Sequence, residues 1–382
     1  MRRMPHQDWH TEDFPEFRPS PPWVMEEMIA AGRGLATPIL GDPSAARVAA
    51  SVAEAAERGA PLATVGCGTS EHGAMAVAEQ LTAALGGRAV VHPRQAFEAM
   101  LDPWSGVCIA ISHDGGTAAT IAAMESARRA GAAVGLVTAV PGAAAAAAAD
   151  RTIVTPVRDR SWCHTIGYLS PVLAGAAVAG GLGMVSDPAA AERTLSDAID
   201  TRPAIRTVAG GLHGVEQYLT VGSGADRIAA RELALKIEEG VRVPATARDL
   251  ETILHGHWVA VDERTAVILL LTDARGGGAR GARATQMLLA ARALGARTAA
   301  IVTPAAAEGL PLDAISCGSV DVPAATDLPA PTASLLTSAP ALQLLTLELV
   351  HLAGVNPDLI RREEAPYREA AQIAESSFPP HG

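Results

Sequence analysis

The chain has 382 residues, 49% of them hydrophobic and only 3% aromatic, with a formal net charge of −11. That length accommodates two domains, each able to bury its own core. Its basic charge is almost entirely arginine on an acidic background, which argues against a general nucleic-acid surface, so no nucleic-acid partner is expected. Cys67, Cys108, Cys163 and Cys317 are far apart and form no CxxC pair. This spacing argues against a zinc ribbon or a disulfide scaffold and fits a reducing, cytoplasmic setting.

In chain order, residues 1–21 read as a loosely ordered arm, polar and proline-containing. Residues 22–36 predict a helix with Val24, Met25, Met28 and Ile29 on one face, and 43–58 a second helix. Short apolar strands at 62–65, 89–92, 107–111, 133–138 and 152–155 then alternate with helices. That alternation predicts an α/β fold, a parallel sheet covered on both faces. A long helical stretch over 165–212 follows. Its apolar run at 169–183 is short and broken by glycine, so it reads as a buried helix and no membrane partner is expected.

The second half repeats the plan of the first. TVGCG at 64–68 returns as TVGSG at 220–224, and ARRAGAAVGLVT at 127–138 returns as ARALGARTAAIVT at 291–303. Two matches in the same order indicate a duplicated α/β domain. The last strand is expected at 319–322 and a helix at 332–352, before a turn at 354–358 and a charged tail. The expected boundaries are an arm (1–21), a first domain (22–200), a second domain (201–355) and a tail (356–382).

Two loops, GCGTS at 66–70 and SHDGGT at 112–117, each end a strand and open a helix. Free backbone N–H groups and hydroxyls converge there, which makes an anion cradle with phosphate as the usual guest. Strand-to-helix turns also favour glycine and N-capping Ser or Thr for their own sake. The segment 221–257 adds a helix carrying the only lysine of the chain, Lys236. Glu232, Lys236 and Glu239 fall on one helical face, so the lysine can pair with either acid. A loop with His255 and His257 follows. A carboxylate on a helix and a histidine on the next loop suit proton transfer.

These motifs resemble the tandem-domain branch of the sugar isomerase (SIS) family. The branch includes the isomerase half of glucosamine-6-phosphate synthase, amino-sugar-phosphate deaminases and fructosamine-phosphate deglycases. The carriers are GCGTS at 66–70, ISHDGGTAAT at 111–120, VGSG with ARELALKIEE at 221–239, and LHGH at 254–257; the likeness covers about 22–365. It implies two flavodoxin-like domains, a homodimer, and sites built between domains and subunits. By this resemblance Glu239 moves a proton between C1 and C2 of a sugar and His255 opens its ring. Ser70, Ser112 and Thr117 hold the sugar phosphate, with Thr69, His113, Asp114, His164 and Lys236 as further substrate-side residues.

Three departures bear on substrate and reaction. The hydroxyl-rich phosphate loop of the family carries Asp114 here, a carboxylate that would repel phosphate unless it turns away as a helix cap or pairs with His113 or an arginine. No lysine occupies the tail, where the synthase branch forms a Schiff base. No glutaminase domain is expected ahead of residue 22. His72, His113, His164 and Asp114 form a scattered set without a known ligand spacing, so neither metal nor cofactor is expected. The expectation is an aldose–ketose isomerase for an anionic small-molecule sugar. A deaminase or deglycase, and a sugar-binding regulator without turnover, are the alternatives.

Overall fold

The computed structural model describes residues 15–375. Most of the expected arm and the last seven residues of the tail lie outside the described residues.

Among the described residues, ten strands form two parallel sheets. The first holds β1 (Leu62–Gly66), β2 (Val91–Gln95), β3 (Gly106–Ile111), β4 (Ala132–Thr138) and β5 (Arg151–Val154), in the order β2-β1-β3-β4-β5. The second holds β6 (Gln217–Gly222), β7 (Ala245–Asp249), β8 (Thr265–Leu271), β9 (Arg297–Val302) and β10 (Ser319–Asp321), in the order β10-β9-β8-β6-β7. Renumbered within each half, both sheets read 2-1-3-4-5, the flavodoxin-like order whose switch point lies between the first and third strands. The expected α/β class and its duplication are therefore both present.

The repeat extends to single atoms. Thr64 Oγ1 donates to Ala74 O at 2.7 Å, and Thr220 Oγ1 donates to Ala230 O at 2.7 Å. Both hydroxyls are fully buried and tie a strand to the helix that follows it. At the turn between them, a Cβ on Gly66 would lie 2.3 Å from Ser70 O, and one on Gly222 would lie 2.3 Å from Asp226 O. Only glycine permits so close an approach of strand end and helix start.

Local differences from expectation have simple causes. The second strand begins two residues later than its apolar run suggests, because Val91–Gln95 is an edge strand whose His92 and Pro93 are exposed. The helical stretch 165–212 is three helices, Ile166–Gly181, Pro188–Asp200 and Arg202–Leu212. Asp187 breaks it by accepting the N–H of Ala190 at 2.9 Å ahead of Pro188. The first helix stops at Ala31, where Gly32–Gly34 tightens into a 3₁₀ turn.

Among the described residues one helix, Ala330–Ala353, is long and apolar enough to cross a membrane, but its apolar stretch is wholly buried inside the fold. It packs against Ile166–Gly181, Arg202–Leu212, Asp226–Lys236 and the turn Ile237–Val241. Its residues join one apolar cluster that runs through both halves, while two smaller clusters lie on other faces of the sheets. The central helix therefore forms the backing of the region that carries Lys236 and Glu239.

Candidate active site

The helix Asp226–Lys236 runs directly into a π-type turn, Ile237–Val241, closed by Arg242 with φ 66°. Gly240 lets this turn lie on the central helix. A Cβ there would meet Thr346 Cγ2 and Val350 Cγ2 at 3.1 Å and Cys163 Sγ at 3.4 Å. Widened turns of this kind are frequent at functional sites.

Lys236 is fully buried, as is Glu232, and its ammonium lies between two carboxylates. It bonds to Glu239 and stands 3.6 Å from Glu232 Oε1. Burial pulls the lysine down, but Glu239 and then Glu232 outweigh it and hold the pKa above the ordinary value. Burial likewise pushes Glu232 up, while Lys236 and His72 hold it below the ordinary carboxylate range. Glu232 also joins the two halves. It accepts from Thr69 Oγ1 at 3.3 Å, and its Oε2 is 2.7 Å from His72 Nδ1.

The Glu239 side chain is 20% exposed and faces an open crevice of about 510 Å³. Glu238, Arg242, Ile360, Arg361 and Tyr367 share that crevice. The tail reaches it because both ends of the turn after residue 354 are pinned. Buried Asp358 accepts the N–H groups of Val24 and Met25 at 2.9 and 2.8 Å, and Arg242 bonds Asn356 O, Glu363 and Glu364.

The cradle forms at the carboxyl end of the first sheet. Ser70 lies in the first turn of the helix Thr69–Leu85, partly buried. Ser112 is 1% exposed, and its Oγ has no hydrogen-bond partner among the described residues. Thr117 is the exposed N-cap of Ala118–Arg129, without a side-chain capping bond. Asp114 does not cap that helix; Arg158 Nε donates to it at 2.7 Å. The carboxylate that would repel an anion is thus neutralised by an arginine just after β5.

Sequence reasoning missed Asp159, which organises the floor beside this cradle. It accepts N–H groups from Ser161, Thr165 and Gly167 at 3.0, 2.6 and 3.1 Å, and so caps the helix Ile166–Gly181. Its own N–H donates to His113 Nε2 at 2.7 Å, and His164 Nδ1 lies 3.7 Å from its Oδ2. Burial raises Asp159, but the neighbouring histidines and the Thr165 N–H bring it down to about 2. Burial and the charge of His164 push His113 down to about 4. Burial lowers His164 too, yet Asp159 outweighs it and the net shift is upward. An acid seven residues before a buried helix is the available signal, but its histidine partner lies 46 residues away.

The structure therefore brings Lys236, Glu239 and Glu232 together, and sets Ser70, Ser112, His113 and Asp114 around one sheet end. Two expected roles change. The Thr69 hydroxyl is used on Glu232, and Lys236 is enclosed by carboxylates rather than open to a ligand. His255 is not beside Glu239 within the chain: its ring is 70% exposed and bonds Glu251 through Nε2 at 2.9 Å. Arg283 holds Glu251 in turn and, with His255, lowers its pKa to about 2. His257 Nδ1 accepts from Arg248 at 3.2 Å. Among the described residues no three His, Cys, Asp or Glu side chains form a group able to hold a metal.

A family model described as SIS domain matches residues 45–178. A search of the curated proteins returns no match. Among solved structures, the chain is similar to the C-terminal domain of glucosamine-fructose-6-phosphate aminotransferase from Francisella tularensis, with TM-score 0.71 and 17% identity over 88% of this chain and 98% of that one. It is similar to tagatose-6-phosphate ketose/aldose isomerase from Escherichia coli, with TM-score 0.67 and 18% identity over 88% and 94%. A third likeness is to glucosamine-6-phosphate deaminase from Thermotoga maritima, with TM-score 0.63 and 15% identity over 88% and 96%. At these identities the likenesses show a shared fold.

Proposed function

On the premise that this chain carries a SIS domain at residues 45–178 and repeats the same sheet order in its second half, we propose that it is an aldose–ketose isomerase for a phosphorylated or otherwise anionic sugar. The observation that carries this reading is the Glu239 carboxylate. It is anchored on buried Lys236 and open to a crevice of about 510 Å³.

In this reading Glu239 takes the proton from C2 of the opened aldose and returns it to C1 through a cis-enediol. The anionic end of the sugar rests in the cradle, where the Ser70 and Ser112 hydroxyls and the backbone N–H groups of His113 and Asp114 converge. The only lysine side chain is buried between two carboxylates, which leaves no lysine amine for imine chemistry. His255 is the ring-opening acid and base, and it reaches the sugar from a second copy of the chain. Its exposure, and a lining of the Glu239 crevice that does not include it within one chain, favour that arrangement.

The test is exchange of the transferred proton with solvent, which in a ketose is a proton on C1. Fructose 6-phosphate and tagatose 6-phosphate are incubated with the protein in D₂O and followed by proton NMR. Glu239→Gln is expected to abolish deuterium incorporation at C1 of the ketose and at C2 of the aldose formed from it. Persistence of exchange in that variant overturns the reading.

A further inference from the structure

His164 is the histidine that the fold sets against the Glu239 turn within the same chain. Its loop lies on that turn: Cys163 Sγ is 4.0 Å from Lys236 O, and it is the atom a Cβ on Gly240 would meet at 3.4 Å. The imidazole packs over Gly167, where a Cβ would come within 3.1 Å of its Cγ and Nδ1. On one side Nδ1 faces Asp159 Oδ2 at 3.7 Å. That carboxylate is 5% exposed and fixed by three backbone N–H groups and the Thr165 hydroxyl. On the other side Nε2 has no hydrogen bond among the described residues, and 22% of the side chain remains accessible.

The other histidines near the site are committed elsewhere. His72 is on Glu232, His113 accepts the Asp159 N–H, His257 is held by Arg248, and His255 is on the exposed Glu251. Charged and titratable groups among the described residues act on the His164 ring in both senses. Asp159, Glu239 and Glu232 favour its cationic form, while Lys236 and His113 oppose it.

We propose that His164, positioned by Asp159, is the oxygen-proton carrier of the isomerisation and works in cis with Glu239. As the Glu239 carboxylate removes the proton from C2, the His164 imidazolium gives a proton to O1, and the enediol forms. Neutral His164 then takes the proton from O2 while Glu239 returns its proton to C1. One proton has moved from C2 to C1 and one from O2 to O1, and both side chains end as they began. His164 is thus a second catalytic residue and Asp159 its positioning residue. This role rests on the isomerase reading given above. The upward net shift of His164, produced by Asp159 against burial, accords with it.

The experiment uses the full chain with fructose 6-phosphate and tagatose 6-phosphate as probes. His164→Ala is expected to lower kcat by about 100-fold or more, within the range general acid–base groups supply, with KM changed by less than about threefold. Added imidazole should restore about tenfold of that loss, and His164→Gln should lose the histidine ionisation from the pH profile of kcat/KM. Should His164→Ala fail to fold, the Cε1–H resonance of His164 in the wild-type chain gives the answer: it must move when either sugar binds, and an unmoved resonance at saturation overturns the role. If His164→Ala keeps wild-type rates and pH profile while Glu239→Gln is inactive, this inference fails alone. If Glu239→Gln remains active, or the wild-type chain exchanges a C1 proton of neither ketose, the isomerase reading falls and this role falls with it.

Discussion

Ser70 in the first half and Asp226 in the second occupy the same position, four residues after the glycine that ends a strand, and they differ by a charge. Asp226 is fully buried; its Oδ2 accepts the N–H groups of Thr272 and Asp273 at 2.7 and 2.9 Å, and Ser334 Oγ donates to its Oδ1 at 3.1 Å. The sheet register pairs Thr64 with Ile109 and Thr220 with Ile268, so the first-half counterparts of Thr272 and Asp273 are His113 and Asp114. The backbone N–H groups of those two residues make no hydrogen bond among the described residues. One copy therefore supplies its own anion, and the other presents the same donors with a neutral hydroxyl beside them.

This contrast predicts the outcome of exchanging the two side chains. Ser70→Asp gives the first copy an internal carboxylate at the donors an external anion would use. Binding of fructose 6-phosphate, followed by calorimetry, is expected to weaken by about 100-fold or more, since charge-assisted hydrogen bonds to N–H groups are the stronger kind. Thermal stability should be retained. Asp226→Ser should instead cost about 1–3 kcal/mol in denaturant unfolding, because buried N–H groups lose their acceptor.

The buried lysine makes a stability prediction of a different size. Lys236 and Glu232 are both fully buried, and Glu232 has His72 and Thr69 as its other partners. Lys236→Met keeps the volume but leaves an uncompensated carboxylate inside the fold. A loss of about 3–5 kcal/mol is expected in urea unfolding, as for other buried pairs broken from one side. Glu239→Gln, whose side chain is partly open to solvent, should cost much less. If the lysine variant unfolds at the wild-type midpoint, the ion pair is not holding this turn.

Acid sensitivity should arise at His113. Burial and the charge of His164 bring its pKa down to about 4, against the opposing pull of Asp159 and Asp114. A histidine depressed in the folded state contributes stability that is present above its unfolded pKa and lost as pH falls toward the folded value. The window is therefore about pH 6.5 to 4, and the loss is on the order of 3 kcal/mol. His164, whose shift is upward, acts in the opposite sense and mainly above that window: its contribution is full below the unfolded pKa and is lost as pH rises. Unfolding free energies measured between pH 7 and 4 should show this decline, and His113→Gln should flatten it.

Much of this architecture is legible in the sequence, and the failures have physical causes. Gly106–Ile111 is buried at all but its first position, so its apolar run at 107–111 reads as a strand. Val91–Gln95 lies at a sheet edge with polar side chains outward, and its apolar run misplaces it. Lys236 and Glu239 could be paired from helical spacing because their contact is local. Asp159 with His113, and Glu232 with His72, are contacts across 46 and 160 residues. No periodicity encodes such pairs; they exist only once two sheet ends and two halves have been brought together. His255 marks the remaining boundary, since the position of its side chain in one chain says little of what it meets in an assembly.

That boundary can be crossed by mixing variants. In a symmetric dimer with His255 supplied across the interface, each site takes Glu239 from one chain and His255 from the other. Glu239→Gln and His255→Ala are each expected to be inactive as pure proteins. Unfolded and refolded together, they form mixed dimers in which one site combines an intact Glu239 with an intact His255. With random pairing about half the dimers are mixed and half their sites are whole, so about a quarter of wild-type turnover should return. If His255 instead served its own chain, every site in a mixed dimer would still lack one group, and mixing would restore nothing. Turnover assayed before and after co-refolding separates the two arrangements, because only transfer across a two-fold axis can rebuild a site from two inactive chains.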